Sequence, residues 1–140
     1  MTLKKLIEQL REIGITQPNV QTTGEGNIYD ALDAKKDIRY GVFYITQQTH
    51  REDEEMDYYS FSLFYVDRLL GDREGNRLQI QSIGKDVLSN IITTVCEVLD
   101  IDHQEITYNP FTQQFKDECA GMYATVTFEC PKDYYCAETY

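Results

Sequence analysis

The side chains with the chemistry to act are His50 and His103, the cysteines Cys96, Cys119, Cys130 and Cys136, and four consecutive carboxylates, Glu52, Asp53, Glu54 and Glu55. A thiol nucleophile needs a lowered pKa and a base within hydrogen-bond reach. Neither histidine stands beside a cysteine or serine in a nucleophile motif, and the net field of the chain is negative, which opposes a thiolate. His103 could meet Cys119 or Cys136 only through folding; both histidines read as ordinary surface residues, and the chain reads as no enzyme. The carboxylate run offers oxygens to a hard divalent cation, but neighbours on an extended chain point to opposite sides, so Glu52 to Glu55 read instead as a solvated, mobile hairpin tip. DREGN, Asp72 to Asn76, echoes a calcium loop yet lacks the distal bidentate glutamate. No metal and no cofactor are expected.

Cysteine spacings of 23, 11 and 6 give no CxxC pair. MTLKKLIEQLREIG carries Glu8, Arg11 and Glu12 inside its apolar pattern, so no export signal is expected, and the four thiols read as free in a reducing compartment. A disulfide from Cys119 to Cys130 across a hairpin is the minor alternative. Thirteen Lys and Arg against 24 Asp and Glu leave a net charge of -11, which repels a phosphate backbone and suits a basic partner. No window approaches the ~20 apolar residues that span a bilayer.

The elements that must position these residues follow from periodicity. The expected fold is α+β: a mainly antiparallel sheet of about four strands, in two hairpins, packed by an N-terminal helix and a long central helix. Residues 1–131 form one domain and 132–140 an acidic aromatic tail. Leu3, Leu6, Ile7, Leu10 and Ile13 recur at helical spacing, with Thr2 as N-cap and Gly14 ending the helix in a left-handed turn. Ile15 to Ile38 reads as irregular, with at most one short helical turn in IYDALDAKKDI. Tyr40 to Thr49 and Tyr58 to Val66 pair as one hairpin, with Tyr59, Phe61, Leu63 and Tyr65 facing the helices. Asn76 caps a helix that runs to about Leu99, with Ile80, Ile83, Val87, Leu88, Ile91, Val95 and Val98 on its inner arc. Gly84 marks either a close backbone approach or a helix that starts at Ser82, with Arg77 to Gln81 as a short strand. Glu105 to Phe115, with Pro110 on an edge or a bulge, pairs with Met122 to Cys130 across the turn KDECAG, and Pro131 stops the hairpin.

Eleven tyrosines and no tryptophan are the compositional oddity. Tyrosine suits contacts that are dry in the middle and wet at the edge. Tyr59 and Tyr65 read as core. Tyr134, Tyr135 and Tyr140, in a tail without periodicity, read as a surface that docks on a neighbour.

The helix, the two aromatic strands, the turn GDREGNRLQIQS, the second helix and the hairpin FKDECAGMYATVTFEC together resemble the small neck and tail-completion (tail terminator-like) ring proteins of tailed bacteriophages, including the crAss-like group. The likeness spans nearly the whole chain and is best at DRL (Asp67 to Leu69), NRLQIQS (Asn76 to Ser82) and CAGMYATV (Cys119 to Val126). It implies a structural virion protein that forms a ring with its own copies at the head-tail junction or upper tail, joining portal, neck or tail-tube proteins. DNA would be only the passing genome, no membrane would be involved, and the location would be the virion, with the host cytoplasm during assembly. An acidic inhibitor or immunity-type protein that binds a basic partner such as a nuclease is the alternative, with Glu52 to Glu55, Asp57 and the tyrosines as its contact.

Overall fold

In the computed structural model, which describes residues 1–32, 37–71, 73–115 and 117–132, the aromatic run YYSFSLFYV lies at the centre of a sheet. Its alternation places Phe61, Leu63 and Tyr65 on one face with almost no exposure, and the matching alternation in MYATVTFEC does the same for Ala124, Val126, Phe128 and Cys130. These two strands, β4 (Met56–Arg68) and β7 (Glu118–Pro131), pair antiparallel over their full length, from Met56 opposite Pro131 to Arg68 opposite Cys119.

The complete order is α1 (Leu3–Ile15), β1 (Thr22–Glu25), α2 (Ile28–Ala31), β2 (Val42–Gln47), β3 (Arg51–Glu52), β4, α3 (Arg73–Leu99), β5 (Asp102–His103), β6 (Thr107–Gln114) and β7. The sheet runs β1-β2-β4-β7-β5, with β3 beside β4 and β6 beside β7. Both expected hairpins are present, β2 with β4 and β6 with β7, but the described sheet has seven strands and not about four. The additions are short, and one, β1, pairs parallel with β2, so the sheet is mixed. Two to four residues hold too little alternation to announce a strand.

Helices α1 and α3 cover one face. Their Leu6, Leu10, Ile80, Val87, Leu88, Ile91, Ile92 and Val95 close the main core over Phe43, Ile45, Phe61, Leu63, Val126 and Phe128. Thr2 caps α1 by accepting from Lys5 N at 3.2 Å. Gly14 does not end the helix in a left-handed turn. It sits inside α1, buried, because the Phe43 ring fills the space its side chain would take. Gly84 marks the close approach: a Cβ there would stand 3.0 Å from Tyr65 Cδ2 and 3.1 Å from Met122 Cβ.

Three further expectations are corrected. Helix α3 starts at Arg73, and Asn76 lies inside it and not at its cap, its side chain turned back to accept from Leu70 N at 2.7 Å. Val98 is off the inner arc, 61% exposed, while Ile92 is fully buried in its stead. KDECAG is mostly strand, since β7 already begins at Glu118, and Pro131 is its last residue. On the opposite face a second, smaller core gathers Ile28, Leu32, Val42, Val66 and Cys119, which gives the loose Ile15 to Ile38 segment its anchor.

Candidate functional site

The sheet face turned away from α1 and α3 carries a row of rings. Register places Tyr44 opposite Phe64 and Phe64 opposite Tyr123, so three neighbouring strands present an aromatic side chain at one level. Phe111 joins them from β6, because it lies opposite Gly121, where any side chain would meet its ring. Phe64 and Tyr123 centroids are 5.4 Å apart, and Phe64 to Phe111 is 6.1 Å, edge to face. One step along, Thr46, Ser62, Thr125 and Thr107 share a level, followed by Ser60 and Thr127, whose hydroxyl oxygens are 2.8 Å apart. The face thus passes from half-buried rings to small hydroxyls.

Among the described residues, three clefts border the sheet at its β1 margin. The largest, about 480 Å³, lies between α2 and the outer face, lined by Glu25, Ile28, Tyr29, Thr46, Gln47 and Phe64 among others. Two of about 320 Å³ each lie along α1, one reaching Thr23 and Ile15, the other Leu3, Ile7, Glu25 and Gln47. The Tyr44 ring crosses over Gly24, and its hydroxyl donates to the Glu25 carbonyl at 2.9 Å. Burial, and then the charges of Glu25 and Asp30, push that phenol upward. Gln47 donates to Glu25 Oε1 at 2.7 Å, and Thr46 donates to the Gly26 carbonyl at 2.8 Å, so the cleft walls are fixed by hydrogen bonds.

The acidic run is exposed at the end of β3, as expected of a solvated tip, and hydrogen bonds tie its backbone. Arg51 and Glu52 form β3 against Tyr58 and Asp57. One Asp53 oxygen accepts from Glu55 N (2.9 Å) and Met56 N (2.8 Å), and the other accepts from the Tyr58 hydroxyl (2.9 Å). These bonds hold the Asp53 carboxyl below its ordinary pKa, the two backbone donors first. Lys132 pairs with Glu52 at 2.9 Å, and the Arg51 guanidinium lies 3.8 Å over the Tyr58 ring. Among the described residues no three His, Cys, Asp or Glu side chains are grouped to hold a metal ion. Tyr134, Tyr135 and Tyr140, with Cys136, lie outside the described residues.

His50 is structural. Its Nδ1 accepts from Ser60 N at 3.2 Å, which places the ring proton on Nε2, 3.1 Å from Gln47 Oε1. His103 Nδ1 lies 2.6 Å from the Gln104 carbonyl on the exposed β5. Cys96, Cys119 and Cys130 are free. The alternative bridge from Cys119 to Cys130 is ruled out by geometry: both lie on β7, eleven residues apart, hence about 35 Å apart, against the 7 Å limit for a disulfide. Burial pushes each of these thiols up to about 11. The Cys119 thiol donates to the Asp117 carbonyl and lies 3.8 Å from the Tyr40 hydroxyl, which in turn donates to Asp117 Oδ2 at 2.9 Å. A neutral, enclosed thiol is a poor nucleophile. The outer-face rings and the β1 margin escape sequence reading, because cross-strand level depends on the register of three strands at once.

The described residues form an α+β fold with a mixed seven-stranded sheet and three helices. No protein-family model matches the chain, and a comparison with curated proteins returns no relative. No helix among the described residues is long and apolar enough to cross a membrane.

Proposed function

We propose that the chain is a structural subunit that works by docking on other polypeptides, as a ring component at the head-tail junction or upper tail of a tailed bacteriophage. The supporting observation is the row of Tyr44, Phe64, Tyr123 and Phe111 on a sheet face that no described layer covers beyond the small α2 core. Half-buried rings bordered by hydroxyls suit an interface, dry in the centre and wet at the rim. The resemblance in Asp67 to Leu69, Asn76 to Ser82 and Cys119 to Val126 supplies the phage setting. A net charge of -11 suits a wall past which DNA slides without adhesion. Two different patches per subunit close a ring, and the aromatic row is one of them.

Native mass spectrometry of the full chain at high micromolar concentration, alone and with any portal or tail-tube protein found encoded beside it, tests this. Closed oligomers, or a complex with those neighbours, are expected. A strict monomer in both conditions overturns the proposal. A one-to-one complex with a nuclease encoded beside it would instead establish the inhibitor reading, in which the same negative charge serves a basic partner.

A further inference from the structure

We infer that the outer margin of β1, half-buried at Thr22, Thr23 and Gly24 and exposed at Glu25, is a strand-accepting groove for an extended segment of a partner polypeptide whose alternate side chains are apolar and basic. The inference rests on edge geometry and holds whether or not the chain belongs to a ring.

Thr22 N donates to the Gly41 carbonyl and Gly26 N to the Ile45 carbonyl, so in this parallel pair residues 22, 24 and 26 turn their backbone groups toward β2. Thr23 and Glu25 therefore turn theirs outward. The Tyr44 hydroxyl already occupies the Glu25 carbonyl, which leaves Thr23 N–H, Thr23 C=O and Glu25 N–H with no partner among the described residues. These three groups are the register an added strand would read.

The opposite margin is closed to the same use. Gln104 N donates to the Thr127 carbonyl, so odd-numbered residues of β7 face β5 and β6, and in β6 it is Tyr108, Pro110, Thr112 and Gln114 that point outward. Pro110 has no N–H to give, which breaks that edge at its middle.

A strand laid on β1 would send side chains alternately to its two sides, and a recess waits on each. On the α1 side are the two smaller clefts, which share Glu8 and Arg11 and expose Leu3, Ile7 and Ile15, the last 48% exposed. On the outer side is the 480 Å³ cleft, lined by Ile28, Phe64 and the exposed Tyr29 among others. Glu25 and Gln47 belong to both sides, so the recesses meet around the β1 end. The carboxylates of Glu8, Glu12 and Glu25 line this belt against Lys4 and Arg11, and Lys4 is already 3.7 Å from Glu8. That balance, in a chain of net charge -11, selects a segment with Lys or Arg among its apolar residues and disfavours a second copy.

The test is an array of random linear heptapeptides probed with the full chain, each retained peptide then measured by fluorescence anisotropy against the wild type and Thr23→Pro. Retained peptides are expected to carry Lys or Arg, to weaken as salt is raised, and to lose at least tenfold in affinity with Thr23→Pro, which removes an outward N–H and no ladder bond. N-methylation of alternate peptide amides gives the same tenfold loss, and of the intervening amides none, a readout that survives if Thr23→Pro fails to fold. A folded chain that retains no peptide overturns the proposal, as do affinities indifferent to both changes. Acidic winners, or a homodimer that Thr23→Pro dissolves, overturn the assigned occupant.

Discussion

His50 Nδ1 accepts the Ser60 backbone N–H at 3.2 Å where the neighbour strand of β4 changes from β2 to β3. The imidazole takes the place of a ladder carbonyl at that break, and its ring packs 5.5 Å from Tyr59 and 5.7 Å from Phe61. A backbone donor left without its acceptor costs roughly 1–3 kcal/mol. His50→Ala is therefore expected to lower stability by about 2 kcal/mol, read as a lower urea midpoint with unchanged slope, and to speed amide exchange at Ser60. An unchanged midpoint would show that the ring carries none of this strand junction.

Two glycines rank the tightness of the packing around Tyr65. At Gly84 a methyl group would be 3.1 Å from Met122 Cβ, an atom that cannot swing aside, so the gain of about 1 kcal/mol in helix propensity is outweighed by about 1–3 kcal/mol of overpacking. Gly121 is worse, since its Cβ would overlap the Tyr65 carbonyl oxygen in the centre of the sheet. Gly84→Ala should cost about 1 kcal/mol and Gly121→Ala several times more. Thermal melts of both variants check the order, and a Gly121→Ala protein as stable as Gly84→Ala would contradict the packing described.

The strands that came through in sequence are those with one apolar face long enough to alternate. Phe61, Leu63 and Tyr65, and Met122, Ala124, Val126 and Phe128, are legible because each set repeats every second residue against the same core. TTGE is illegible as a strand: it has four residues, one a glycine, and its partner β2 lies across α2 and runs parallel. Asn76 misleads because a cap and a back-bonded helical residue look alike in sequence; only the Leu70 N–H at 2.7 Å decides it. Of the candidate surfaces, the acidic run is visible as composition, but the Asp53 bonds to Glu55 N, Met56 N and Tyr58 are not, nor is the Lys132 pairing with Glu52, which needs β4 and β7 side by side.

Asp53 makes the acidic turn sensitive to acid. Its folded carboxyl titrates below the ordinary 3.8 because backbone and phenol donors favour the charged form. A depressed folded value means that its stabilising contribution is complete above the unfolded pKa and is lost as pH falls through the folded one, so the window lies below about 4. NMR spectra between pH 6 and 2 should show the Glu55 and Met56 amides shifting together in that window, with the change absent in Asp53→Asn. Amides that stay fixed throughout would mean the carboxylate does not hold the turn.

The buried thiols set the opposite, alkaline limit. Burial raises Cys119 and Cys130 from an ordinary 9.0 to about 11, and desolvation also raises the phenols of Tyr65 and Tyr40, the latter held further by Asp117. For groups with a raised folded pKa, stability is complete below the unfolded value and declines as pH climbs toward the folded one. The urea midpoint should therefore hold steady to about pH 8.5 and fall between about 9 and 11. At pH 8 iodoacetamide should leave Cys119 and Cys130 unmodified in the folded chain, because both side chains are fully enclosed and their thiolates scarce. Peptide mapping by mass spectrometry reads each cysteine separately. Modification of Cys119 faster than the measured unfolding rate would mean that the small core of Val42, Val66 and Ile28 opens on its own, detaching the β1 margin from the sheet.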